Sequence, residues 1–370
     1  VSQGKPFHDR ARVDALTARI HAIAAGLSRP VTFMEVCGTH THAIAEAGLR
    51  RLLPPNVRLV AGPGCPVCVT PVDYLDHALA LAALPDVTIT TFGDLIRVPA
   101  SHRDSLERAS ARGADVRIVY SPRDALALAR ALPNRRIVFL AVGFETTMPT
   151  IAAALAEAEA TGVPNFLILS GSKIIEPPLR ALVKDPELRL DGFLLPGHVS
   201  VILGADFYRF LADECRVAAA IVGFAPVDVQ SGLVELLTQV QRGAPTVANL
   251  YSRAVTAAGN KTAQQLLDRF FAPSDTRWRG LGTIPASGLQ LRPEWAHRDA
   301  GRLPVVLPAA QEPKGCRCGE VLRGTIEPPA CPLFARGCTP DHPIGACMVS
   351  SEGTCAAWYR HERHAAEVAT

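Results

Sequence analysis

No apolar run in the sequence approaches the roughly 18 residues that a membrane-spanning helix requires. The first residues, Val1 to Arg12, are polar and carry no signal-peptide core. These two absences argue against a helical membrane protein and lead to the expectation of a cytoplasmic one. Aromatic residues make up only 6% of the chain and never interleave with a basic run, and the net charge is only +3. Nothing here resembles a nucleic-acid footprint, so no nucleic-acid partner is expected. Low-complexity segments are also missing, because the 30 prolines and 28 glycines are spread along the chain as loop punctuation. No internal repeat shows beyond a recurrence of strands and helices.

What the sequence does have is an apolar content of 48%, enough for a well-packed interior, and ten cysteines. A reducing compartment disfavours stable disulfides, so metal binding or redox chemistry is the leading explanation for so many thiols. Three cysteines lie between positions 37 and 68, one is isolated at Cys215, and six crowd between 316 and 355.

Short, nearly all-apolar segments alternate with helical ones. The expected strands are Val31–Val36, Val57–Ala61, Val87–Thr91, Val116–Tyr120, Ile137–Val142, Phe166–Leu169, Gly192–Leu195 and Ala218–Val222. Helices are expected at Asp9–Gly26, Val72–Ala83, Arg123–Leu132 and Ala263–Phe271. This alternation predicts an α/β fold with parallel sheets flanked by helices. At 370 residues, two or three domains are expected. The reading is two α/β lobes, residues 30–145 and 146–250, with the division near 143–150. Residues 1–29 and 251–370 would form a helical and cysteine-rich third domain. Its tail has too few apolar residues for a core of its own, and a bound metal would supply the missing cohesion.

Three segments carry the chemistry. In the tail, Cys316, Cys331, Cys338 and Cys355 read C-x14-C-x6-C-x16-C, which suits either a [4Fe-4S] cluster or a four-cysteine zinc site. Cys318 and Cys347 are left over, as a competing ligand in the case of Cys318 or as small buried residues. In GPGCPVCVTP, Cys65 and Cys68 form a Cys-x-x-Cys pair near a helix start, where a thiolate is favoured. A reversible disulfide is the expected use, with half of a zinc site as the other reading. In EVCGTHTH, Cys37 ends a strand and is followed by His40 and His42. A thiolate beside imidazoles suits a metal such as Fe(II). The two histidines are two positions apart, so both could ligate only from a loop. Otherwise they cap a helix or bond to backbone. GDLIRVP (93–99), GFETTMP (143–149), SGSK (170–173) and PGHVS (196–200) also fall at strand ends, where α/β sheets bind ligands. They are expected to line the clefts holding Cys37 and Cys65, with Glu145 and His198 as proton-handling or orienting groups.

EVCGTHTH, GPGCPVC, GDLIRVP, GFETT and PGHVS, together with GCRCGEVLRG, CPLF, CTP and GACMVSSEGTCAAWY in the tail, resemble the HypD family of hydrogenase maturation proteins, from about Phe33 to Tyr359. The resemblance implies two α/β lobes and a third domain with a [4Fe-4S] cluster on Cys316, Cys331, Cys338 and Cys355. It implies Cys37 as the iron ligand, Cys65 and Cys68 as a redox-active pair, and Glu352 as a functional residue close to the cluster. It further implies a HypC-type chaperone as partner and HypE, working with HypF, as cyanide donor. The product would be the Fe(CN)2CO moiety of [NiFe] hydrogenases, held as a bound intermediate on a redox-active scaffold rather than turned over by a conventional enzyme. The competing function is a stand-alone [4Fe-4S] thiol-disulfide oxidoreductase; a zinc-stabilised binding module is a third.

Overall fold

A computed structural model describes residues 10–363. Eleven strands form among them: β1 (Val31–Glu35), β2 (Val57–Ala61), β3 (Val87–Thr91), β4 (Val116–Ile118), β5 (Arg136–Ala141), β6 (Phe166–Ser170), β7 (Gly192–Pro196), β8 (Ala218–Val222), β9 (Val247–Asn249), β10 (Phe271–Trp278) and β11 (Gly282–Leu291). Two parallel sheets result, in the orders β2-β1-β7-β8-β9 and β4-β3-β5-β6, and β10 and β11 pair as an antiparallel hairpin. The α/β class and all eight expected strands are present. The central strands β3, β7 and β8 are buried along their whole length, as expected of sheets covered by helices on both faces. The Asp9–Gly26 helix is found as Arg10–Ala25; Asp9 lies outside the described residues.

Sheet membership does not follow one cut near 143–150. The chain leaves the first sheet after β2, builds the whole second sheet from β3 to β6, and returns with β7. A cut at 145 would part β5 from β6, which pair directly from Ile137 with Phe166 to Ala141 with Ser170. Parallel strands with equally apolar sequences do not announce their neighbours; long-range packing selects them. The N-terminal helix also departs from the expected grouping. It packs on helix Pro226–Arg242 and buries Ile20 and Ala24 in the core of the first sheet, with Phe33, Leu233 and Leu237.

The tail shares a core instead of building one. Val321, Leu322, Ile344, Met348 and Ala356 are buried together with Met34, Val60, Phe193 and Leu195 of the first sheet. Helix Thr354–His361 lies on helix Gly38–Glu46, and the turn Ala346–Met348 lies on helix Pro66–Val69. Arg50 and Glu362 close this contact with a buried ion pair at 2.9 Å. The carboxyl ends of β1 and β2 therefore face the cysteine-rich segment.

Candidate metal centre and its cysteines

β1 ends at Glu35, and Cys37 then takes extended backbone as the N-cap of helix Gly38–Glu46. Beneath this turn Glu35 is fully buried. Its carboxylate accepts the Cys37 N–H at 3.1 Å and the Thr41 hydroxyl. Burial raises the Glu35 carboxyl to about 7. β2 ends beside β1, and Gly62 N–H donates to Glu35 O at 2.8 Å. Gly64 then crosses Cys37 backbone to backbone: a Cβ there would stand 2.2 Å from the Cys37 nitrogen. The Gly38 N–H donates to Gly64 O at 3.2 Å. The glycines of GPGC thus permit the Cys37 turn and the Cys65 turn to touch.

From the tail, Glu352 closes over this junction. Its Oε1 accepts the Thr39 hydroxyl at 2.7 Å, and a Cβ on Gly38 would lie 2.5 Å from Glu352 Cβ. Glu352 is itself held by Ser350, whose Oγ accepts the Glu352 N–H and donates to Asp94 at 2.6 Å. A cleft of about 220 Å³ results, lined among others by Cys37, Thr39, Gly64, Thr146, His198 and Glu352. Four of the expected segments and the SSEG turn meet in it. Cys37 is half-buried there, and desolvation, reinforced by Glu352 and Glu35, pushes its thiol up to about 12. The bare thiol is protonated at neutral pH. A cation at this spot would displace the proton and find carboxylates nearby.

Of the two alternatives for the histidines, the structure takes the second. His40 and His42 lie on a helix, not in a loop, so they diverge and cannot ligate together. His40 is fully buried, with Nε2 2.9 Å from Gly223 O and its ring against Phe224, and burial lowers it to about 4. His42 stands edge-on to His361. The imidazole that lines the cleft belongs to His198, stacked 4.0 Å from Phe224. Glu145 is buried behind the cleft with Oε1 accepting the Ile175 N–H at 2.8 Å. GDLIRVP and SGSK serve the tail and the hairpin instead of this cleft. Asp94 holds Ser350, Arg97 donates to Pro340 O, and Lys173 donates to Thr276 in β10. Sequence reasoning missed Thr39 and Glu35 as site residues, although both lie inside EVCGTHTH.

Cys65 and Cys68 are disulfide-bonded at the start of helix Pro66–Val69, and the Cys65 sulfur accepts the Cys68 N–H. They are 3% and 0% exposed, deeper than a thiol that meets large clients. In the tail all six cysteines converge, not four. The Cys318 thiol lies close enough to Cys316 and Cys347 to be perturbed by both, and the Cys347 and Cys355 sulfurs are 3.1 Å apart. Cys338 feels Cys316 and Cys331, and its sulfur accepts the Ile344 N–H. Among the described residues no three His, Cys, Asp or Glu side chains stand in the geometry of a single-ion site. Soft thiols gathered together and left unpaired as disulfides fit a thiolate-bound iron-sulfur cluster. Cys215 lies apart from both groups, packed beside the core.

The same arrangement of motifs has known relatives. A family model, "HypD: Hydrogenase formation hypA family", matches residues 11–362. The chain is 47% identical to "Hydrogenase maturation factor HypD" of Rhizobium leguminosarum bv. viciae over 354 residues, covering 94% of this chain and 92% of that protein. It is 45% identical to the protein of the same name in Escherichia coli K12, covering 96% and 95%, and 44% identical to that of Azotobacter vinelandii, covering 96% of each. With the family model spanning nearly the whole chain, and the cleft built from the segments that first suggested the likeness, the chain belongs to the HypD family of hydrogenase maturation factors.

Proposed function

We propose that the chain is the scaffold on which the Fe(CN)2CO moiety of [NiFe] hydrogenases is put together, with Cys37 as the iron-holding residue. The observation that carries this reading is the cleft. It sets a thiol, a carboxylate and an imidazole, on Cys37, Glu352 and His198, around about 220 Å³ of space. That space is enough for one metal ion with small ligands. A HypC-type chaperone completes the site with a second thiolate, and HypE, working with HypF, brings cyanide. The setting is the cytoplasm; no helix among the described residues is long and apolar enough to cross a membrane.

The chain's own groups handle protons and position. Glu35 fixes the Cys37 backbone, and Glu352 clamps the first turn of its helix through Thr39. The thiol proton that iron displaces has Glu352 and His198 as acceptors lining the same cleft. Cys316, Cys331, Cys338 and Cys355 would hold a [4Fe-4S] cluster, with Cys318 and Cys347 interleaved as supporting thiols. When bound, the cluster supplies single electrons. Cys65 and Cys68 exchange between disulfide and dithiol, taking up two electrons and two protons. Their helix packs against the turn that carries Cys347, which supports an electron partner within the tail. Their burial weighs against the stand-alone oxidoreductase, because a client thiolate could not reach either sulfur.

The test is an infrared spectrum of the anaerobically purified complex with the chaperone. Bands of metal-bound cyanide and carbon monoxide are expected, in a region where protein does not absorb; a complex that contains iron but lacks both bands rules the scaffold out. The redox pair is checked separately by counting thiols in oxidised and reduced protein. Two additional thiols are expected on reduction, and none in a Cys65→Ser, Cys68→Ser double variant.

A further inference from the structure

The turn joining β10 to β11 holds a buried cation that neither the cleft nor the disulfide accounts for. Arg279 is only 3% exposed. Its backbone N–H donates to Val69 O and its Nε to Thr70 O, both at 2.9 Å, at the end of the helix that begins with the Cys65–Cys68 pair. Nη1 meets Glu312 at 3.2 Å, and Nη2 is buried with no partner among the described residues. Glu312 is the one carboxylate paired with it among the described residues, and that side chain is 48% exposed. A guanidinium so deeply buried, with a half-solvated counter-ion and an idle N–H, is poorly compensated.

The unused charge faces the cysteines. Arg279, Glu312, Cys316 and Cys318 line one cavity of about 210 Å³. The hairpin tip is pressed on the same segment: Gly280 has φ +82°, and a Cβ on it would lie 2.2 Å from Gly319 Cα, next to Cys318. Fixing Val69 O and Thr70 O needs only the Arg279 N–H and Nε, so the contact with that helix leaves the full charge without a role. An iron-sulfur cluster on four thiolates is an anion and grows more negative on reduction; nearby charge and hydrogen bonding are what move its potential.

We propose that Arg279 is a positioning residue that ties the Cys65–Cys68 helix to the tail cysteines and, through its charge, raises the potential at which a cluster on those cysteines accepts an electron. The inference rests on the cluster reading given under Proposed function. The experiment is an anaerobic potentiometric titration of the full chain, followed by visible absorption, with iron and sulfide assayed on each sample. Arg279→Gln is expected to lower the midpoint potential, and Arg279→Lys to hold it near the wild-type value. Glu312→Gln, at a half-exposed position, is expected to raise it by removing the opposing charge. Unchanged potentials in Arg279→Gln and Glu312→Gln, with full iron and sulfide, would overturn the role of Arg279 and leave the cluster reading intact. If Arg279→Gln loses its cluster, the direction of the Glu312→Gln shift decides. Wild-type protein without iron and sulfide would overturn the cluster reading, and this inference with it.

Discussion

At the scale of single residues, the site is governed by what burial does to acids and thiols. Glu145 shows it most simply. It is enclosed behind the cleft with one oxygen bonded to the Ile175 N–H and the other without a partner among the described residues, and desolvation raises its carboxyl to about 7. The folded chain therefore holds a proton that the unfolded chain releases at its ordinary value of 4.5. The stability this gives is complete below the unfolded value and is lost as pH rises through about 7. Glu145→Gln keeps the acceptor for Ile175 and removes the titration. The variant should gain on wild type as pH rises across that window, by on the order of 3 kcal/mol. Denaturant unfolding at both ends of the window measures it; a difference that does not change with pH would refute the assignment. Residue identity alone did not reveal which histidine faces the cleft. His40 and His198 both stand in compelling motifs, but the phase of helix Gly38–Glu46 turns His40 toward Gly223. That phase is set by packing on Phe224, far away in sequence.

At the scale of elements, the site depends on loops that approach more closely than side chains allow. Gly64 crosses Cys37 with no room for a Cβ, and the atoms in the way are backbone. Gly64→Ala should cost at least ~3 kcal/mol, the upper range for overpacking a tight contact, and should part the Gly38 N–H from Gly64 O. Gly93→Ala is the matched control, because a Cβ there meets only an ordinary contact with Ile118. Thermal unfolding of the two variants should differ strongly; equal midpoints would show that the crossing is not tight. The tail is the second case. Its buried residues lean on β1 and β2, and cysteines are prominent among them. Cys338→Ala should remove iron and labile sulfide and make the tail the first segment to be cut in limited proteolysis. Full iron and sulfide in that variant would contradict its place as a ligand. The elements that escaped sequence reading share a cause. Between its buried ends β10 alternates between half-buried and exposed positions and contains Pro273, and β9 is three half-buried residues, so neither makes an apolar run.

At the scale of the whole molecule, the parts that carry chemistry arrive from both sheets and from the tail. Strand positions were readable because fully buried parallel strands leave continuous apolar segments, and the motifs were readable because they sit at strand ends. The order of strands was not readable, since the return of β7 beside β1 is dictated by packing that no local pattern records. That return brings His198, on the helix after β7, to the cleft of Cys37, while Glu352 reaches it from the tail. The central claim is that Cys37 holds the iron while the tail cysteines hold something separate. The measurement that tests it most directly is one sample examined twice: the Cys37→Ala chain with its chaperone, by infrared and by visible absorption. The account predicts that the cyanide and carbon monoxide bands vanish while the visible spectrum of the cluster stays at wild-type intensity. Infrared bands of normal intensity in that variant would contradict it.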